Sequence, residues 1–156
     1  MSKQMNGTGE YYVLSQVLLF TGLSERTVRN HIATGLLKGE KINGLWHFTK
    51  EEVEKFINHP AVKPGILTKN NGMIYDFILD TSKKQEEMCV ILDVPDVGWQ
   101  EISEMFCKEI CEGEYKNIKF SFSCLSGINR VILMGDCKYV LKLLNFYYNS
   151  KKKVKE

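Results

Sequence analysis

The chain has 156 residues, of which 44% are apolar and 26% charged, and it carries a formal net charge of +2. That length fits one domain or two small ones, and the apolar share suffices for packed cores, which excludes a disordered chain. The charge is uneven: residues 1–72 carry +3, residues 73–150 carry −4 and residues 151–156 carry +3, as expected of a nucleic-acid-binding unit joined to something else.

Residues 1–10, MSKQMNGTGE, are polar and read as a loose arm. They contain no apolar segment of a secretory signal. Tyr11, Tyr12 and Val13 read as a short strand or a staple against the helix that follows. That helix, about Gln16 to Phe20, carries Val17 and Phe20 three apart. Leu18 and Leu19 are more apolar than an exposed helix face needs and are expected to pack. Gly22 supplies a permissive backbone for a tight turn. Ser24 then caps a second helix, from about Glu25 to Thr34, which Gly35 ends. Val28 and Ile32 lie four apart and face inward, leaving Arg26, Thr27, Arg29, Asn30 and Ala33 on the outer side. A polar, basic helix set against a shorter one by a glycine turn is the arrangement with which a helix-turn-helix reads a major groove.

Leu36-Leu37 lead into Lys38-Gly39-Glu40-Lys41-Ile42. Asn43-Gly44 then precedes Leu45-Trp46-His47-Phe48. Asn-Gly between two apolar-bearing runs is a strong signal for a type I′ hairpin. Trp46 and Phe48 share one face of it, Leu45 and His47 the other. Thr49 caps a third helix, Lys50 to Asn58, with Glu52 placed as in a capping box. Val53, Phe56 and Ile57 form its apolar stripe.

Here the residues carry a resemblance. TGLSERTVRNHIATGLL resembles, without a gap, the pattern T-G-V-S-x-R-T-L-R-Y-Y-x-x-x-G-L-L of MerR-type regulators. INGLWHFTKEEVEKFI looks like the wing and closing helix that follow in that family. Phage and transposon excisionases share this core. Asn30 and His31 stand where the family has Tyr-Tyr. The matching stretch, Leu14 to Ile57, covers little more than a quarter of the 156 residues. The resemblance implies a winged helix-turn-helix, spanning 11–59, with three short helices and a two-stranded wing. It does not extend to the long coiled coil of full MerR proteins, so that mode of dimerisation is not implied.

Residues 60–72 hold Pro60, Pro64 and a closing Lys69-Asn70-Asn71-Gly72, and read as an interdomain linker. A second unit, 73–150, follows. Met73 to Leu79 is ambiguous between strand and helix. Met88 to Val94 reads as a buried strand stopped by Pro95. Val97 to Glu112 reads as an amphipathic helix, with Trp99, Ile102, Phe106 and Ile110 on one side. Ile118 to Ser123 alternates with period two, so one face should be buried and one wet. Ser126 to Asn129 turns the chain, and Arg130 to Met134 returns. Val140, Leu143, Leu144, Tyr147 and Tyr148 stripe a last helix, and residues 151–156 read as a frayed basic tail. The expected class is α+β, the second unit being an antiparallel sheet covered by two helices.

Arg26 and Arg29 are the leading candidates for DNA contact, because guanidinium can bond guanine O6 and N7 or grip phosphate. The competing reading is a solvated face paired to Glu25. Thr27 and Asn30 reach the same side. Ser24 could bond phosphate as well as cap. Lys38, Lys41 and Asn43 are placed for backbone contact from the wing. Trp46 reads as core packing. Cys107 and Cys111, four apart on one helix, could hold a metal, but a small buried hydrophobe is the ordinary role of cysteine.

The sequence offers no nucleophile-base pattern, no phosphate-cradling loop and no cofactor motif. No apolar run reaches the about 20 residues of a membrane span. Five cysteines without framework spacing fit a reducing, cytoplasmic setting. The expected function is sequence-specific transcriptional regulation on double-stranded DNA by a homodimer, with the second unit dimerising or sensing a small-molecule or protein effector. An excisionase-like recombination factor and a protein-interaction module with a non-DNA-binding helix-turn-helix are the rival readings.

Overall fold

The computed structural model describes residues 11–155, and the arm expected over 1–10 lies outside them. The described elements run β1 (Tyr11–Val13), α1 (Leu14–Thr21), α2 (Glu25–Ala33), β2 (Glu40–Ile42), β3 (Leu45–Thr49), α3 (Lys50–Asn58), α4 (Lys63–Leu79), β4 (Glu87–Pro95), α5 (Trp99–Glu112), β5 (Ile118–Leu125), β6 (Ile128–Asp136) and α6 (Cys137–Lys155). The fold is α+β, with two antiparallel three-stranded sheets among the described residues. The chain divides into two compact units, Met1–Asn70 and Asn71–Glu156.

In the first unit the wing gains a strand. β2 and β3 form the expected hairpin through Asn43 (φ 53°) and Gly44 (φ 82°), the two left-handed residues of a type I′ turn. β1 pairs on the other side of β3, setting Tyr12 opposite Phe48. Both side chains are buried, so the strand is held by core packing that a three-residue segment does not announce by itself. Val17, Val28, Leu37, Val53 and Phe56 complete this core, each at 0% exposure. The His31 ring meets Phe56 edge-on at 5.4 Å, tying α2 to α3.

The division between the two units falls inside the expected linker, 60–72, but most of that stretch is helical rather than extended. Residues 60 to 62 form a turn, and 63 to 72 lie inside the 17-residue helix α4. Pro64 sits in the first turn of that helix, where a missing N–H leaves no hydrogen bond unmade. Val62 and Ile66 are buried and anchor the start. Met73 to Leu79 is therefore helical. Lys83 closes the end of α4, donating from Nζ to the Phe77 carbonyl at 2.6 Å and the Asp80 carbonyl at 2.8 Å.

The second unit has strand order β4-β6-β5. α5 and α6 pack on one face of the sheet and on each other: Phe106 stacks on Phe120 at 5.9 Å and on Tyr147 at 5.5 Å. The wet face expected of β5 is a second correction. Ser121 and Ser123 are buried along with Phe120 and Phe122, and Ile132 and Met134 of the central strand are buried on that same face. Alternation in sequence reports side-chain polarity, and serine is mostly exposed in folded proteins, but a hydroxyl that finds a hydrogen-bond partner can be buried. The hairpin turn is also tighter than expected. Ser126 and Gly127 alone make it, at φ 53° and 80°, and Ile128 and Asn129 belong to β6. Finally, the expected frayed tail continues α6 to Lys155. Lysine is a good helix former, so the run extends the helix rather than ending it.

Candidate nucleic-acid interface

The turn between α1 and α2 is fixed by three residues. Gly22 takes the left-handed conformation (φ 74°) and donates its N–H to the Leu18 carbonyl at 3.1 Å. Thr21, fully buried, donates its hydroxyl to the Val17 carbonyl at 2.7 Å and accepts from the Leu23 N–H at 3.2 Å. The sequence reading missed Thr21. Its signal is a threonine at a helix end beside glycine, where a hydroxyl can satisfy groups the helix leaves open.

Ser24 then caps α2. Its Oγ accepts from the Thr27 N–H at 3.1 Å and donates to Thr27 Oγ1 at 2.9 Å. Val28 is buried beneath the helix, and Ile32 is half-buried. Arg26, Arg29 and Asn30 are exposed on the opposite side, and Thr27 is half-buried at the helix edge. Arg29 Nε donates to Glu25 Oε2 at 2.8 Å, the pairing that the competing reading anticipated. Both partners are about half exposed, with side-chain accessibilities of 51% and 55%. Such an i, i+4 surface pair contributes only about 0.3–0.5 kcal/mol, and a phosphate could displace it. Among the described residues no ion pair or side-chain hydrogen bond engages Arg26 or Asn30. These two lie four apart, hence on one face.

α2 ends in a tight cap. The Gly35 N–H bonds the Ile32 carbonyl at 3.1 Å, and the Leu36 and Leu37 N–H groups share the His31 carbonyl at 2.9 and 3.2 Å. Leu37 is buried and carries the chain into the wing. Lys38, Lys41 and Asn43 are all exposed. Lys41 Nζ lies 5.6 Å from the Trp46 ring centre, and Trp46 stacks on the buried Phe48 at 6.0 Å. Trp46 is therefore a half-buried wing residue rather than a free stacking platform. The wing tip is apolar: Leu45 is 59% exposed and Ile42 37%. The structure thus places Arg26, Thr27, Arg29 and Asn30 on α2 with Ser24 as its N-cap, Lys41 and Asn43 on the hairpin that follows in the same unit, and Lys38 in the segment that leads into that hairpin.

The cysteine pair on α5 has no such arrangement. Cys107 is buried among apolar groups, and burial, with smaller contributions from Cys111 and Glu104, pushes its thiol far above the ordinary range. Burial also raises the Cys111 thiol, with Glu112 adding to it. A metal ligand must be a thiolate. Among the described residues no group of three or more histidine, cysteine or carboxylate side chains could hold a metal. No helix of the described residues is long and apolar enough to cross a membrane.

The chain matches no family model, no curated protein and no solved structure.

Proposed function

We propose that the chain is a sequence-specific DNA-binding regulator whose α2 enters a major groove while the wing touches the flanking backbone. The observation that carries this is the outer face of α2. Arg26 and Asn30 stand exposed and unengaged, on a helix whose start is held by the Ser24 cap and whose angle to α1 is set by Gly22. The N-terminal residues of such a helix are the ones that reach base edges. Arginine can read guanine and asparagine adenine, each bidentately. Lys38 and Lys41 add positive charge for phosphate contact.

One short helix contacts few bases, so useful specificity requires a second copy on a repeated half-site. The second unit supplies the contact between copies or receives an effector. The test is selection of binding sites from random duplex DNA by the full chain. Enrichment of a repeated half-site supports the reading; a pool that stays random contradicts it.

A protein-interaction module is the second reading, and the Arg29–Glu25 pair favours it, because an arginine held within its own helix needs no nucleic acid. Salt separates the two. Phosphate contact makes affinity fall steeply as salt rises, whereas affinity for duplex DNA that is absent, or indifferent to salt, belongs to a protein-binding surface.

A further inference from the structure

The two edges of the second sheet are unlike. β5 is closed along its middle: Phe120, Ser121, Phe122 and Ser123 are all buried. β4 is open, since every residue from Glu87 to Leu92 keeps part of its surface and Ile91 is 49% exposed. An edge strand presents a row of unpaired N–H and C=O groups. Proteins that must stay monomeric blunt such a strand with lysine, internal proline, a bulge or covering chain. β4 has no lysine, no bulge and no proline before its last residue, and of its two charged residues Glu87 lies at one end and Asp93 is paired to Arg130. The strand is nine residues long and pairs with β6 without interruption, from Glu87↔Asp136 to Pro95↔Ile128.

We propose that β4 is where two copies of this chain join, strand against strand, in one continuous sheet of six strands. The sequence of β4 suits an antiparallel partner identical to itself. A two-fold axis normal to the sheet keeps each side chain on its own face, so the axis must pass through a residue pair. Placed at Ile91, it sets Glu87 opposite Pro95, Met88 opposite Val94, Cys89 opposite Asp93, Val90 opposite Leu92, and Ile91 opposite itself. All nine residues are paired and no like charges meet. Asp93 is also neutralised in advance, because Arg130 on β6 donates to its two oxygens from Nε at 2.7 Å and from Nη2 at 2.9 Å. Moving the axis to Val90 would set Glu87 against Asp93 twice. Moving it to Leu92 would leave Glu87 and Met88 without partners. At Ile91, two half-exposed isoleucines lie directly opposite, with Cβ atoms about 4.5–5.5 Å apart, and cover each other. The contact is isologous and closes after two copies.

This gives the dimer that the DNA-binding reading calls for a definite surface, and it rests on that reading only for its purpose. It is tested without DNA. Sedimentation equilibrium of the full chain, at micromolar concentrations, should give twice the 18.0 kDa chain mass. Ile91→Lys puts a charge on the axis and should give the single-chain mass, with unchanged circular dichroism. Leu141→Lys, at an exposed leucine of α6, should remain a dimer. A wild-type chain of single mass overturns the proposal and leaves the open edge for a strand of another protein. So does an Ile91→Lys chain of double mass, or a Leu141→Lys chain of single mass beside a dimeric Ile91→Lys. None of these outcomes tests groove contact by α2, which the comparison of Arg26→Ala with wild type on DNA measures separately.

Discussion

Ser24 and Thr27 are joined twice: the serine hydroxyl accepts from the Thr27 backbone N–H and donates to the Thr27 hydroxyl. The first bond is an ordinary helix cap. The second fixes the orientation of the Thr27 side chain at the edge of the proposed reading face. Ser24→Ala removes both. The expected loss is about 1 kcal/mol, which in a domain of this size lowers the melting temperature by about 4–8 °C. Ser24→Asp restores the cap and should recover most of that loss. A thermal melt of the two variants checks this, and an unchanged midpoint for Ser24→Ala would show that the cap does not hold the helix.

Arg26 and Arg29 should behave differently although they sit on the same helix. Arg26 is exposed without a partner among the described residues, while Arg29 is paired to Glu25. Removing Arg26 should leave stability within about 0.5 kcal/mol and weaken specific binding by about 1–3 kcal/mol. Glu25→Gln frees Arg29 and removes a negative charge beside the proposed reading face, so affinity should rise. Fluorescence anisotropy on a selected duplex reads both effects, and a fall in affinity for Glu25→Gln would count against the assigned face.

Gly39 lies where a Cβ atom would run into the Phe48 ring and the His47 carbonyl oxygen. Phe48 is at the centre of the first core. Gly39→Ala should therefore destabilise the first unit by about 1–3 kcal/mol, the usual range for overpacking. Urea denaturation followed by tryptophan fluorescence in a Trp99→Phe background, which leaves Trp46 as the reporter, is the check. A midpoint equal to wild type would mean that β2 moves freely enough to make room.

Much of this was readable in the chain. Ser24, Gly35, Asn43-Gly44 and Thr49 act through neighbours a few residues away, and each does in the structure what its type suggests. The α5 stripe is equally local, and Trp99, Ile102 and Phe106 are buried as their spacing indicates. The failures share a cause. β1 falls where a short strand was expected, but its pairing with β3, which sets Tyr12 opposite Phe48, 36 positions later, is a long-range relation that three residues do not state. Ser121 is buried, and nothing in the alternation of β5 itself marks that. The start of α4 is hidden because local pattern does not say which turn of a helix a proline such as Pro64 will occupy. At the site, the candidate residues follow from helix periodicity, and even the Glu25–Arg29 pair is an i, i+4 relation. Thr21 escaped because its bonds run backward into α1.

The Asp93–Arg130 pair gives a pH test. The Arg130 guanidinium, hydrogen-bonded to Asp93, holds that carboxyl below its ordinary value. A depressed carboxyl stabilises the fold above the unfolded-state value, about 3.9. That contribution is lost as pH falls through the lower folded-state value. The pair is exposed, so its worth at pH 7 is under about 1 kcal/mol. Asp93→Asn should be slightly less stable than wild type at pH 7, and the gap should narrow below about pH 4. Paired melts at pH 7 and pH 3 decide it; a gap that widens in acid would show that the pair is not the source.

Cys107 should resist alkylation in the folded chain, because it is buried and its thiol is held far above the usual range. Cys111 is exposed and should react first of the two. Mass spectrometry after brief iodoacetamide treatment at pH 8 reads the order directly, and equal labelling of both would mean that α5 opens readily.

The central claim is that Arg26 reads a base from the outer face of α2. Its most direct test measures, at several salt concentrations, the affinity of wild type and Arg26→Ala for the selected duplex and for an unrelated duplex. The account predicts that the wild type distinguishes the two duplexes. It also predicts that Arg26→Ala loses about 1–3 kcal/mol of that discrimination, while melting as the wild type does. Equal discrimination by the two proteins at every salt concentration would contradict it.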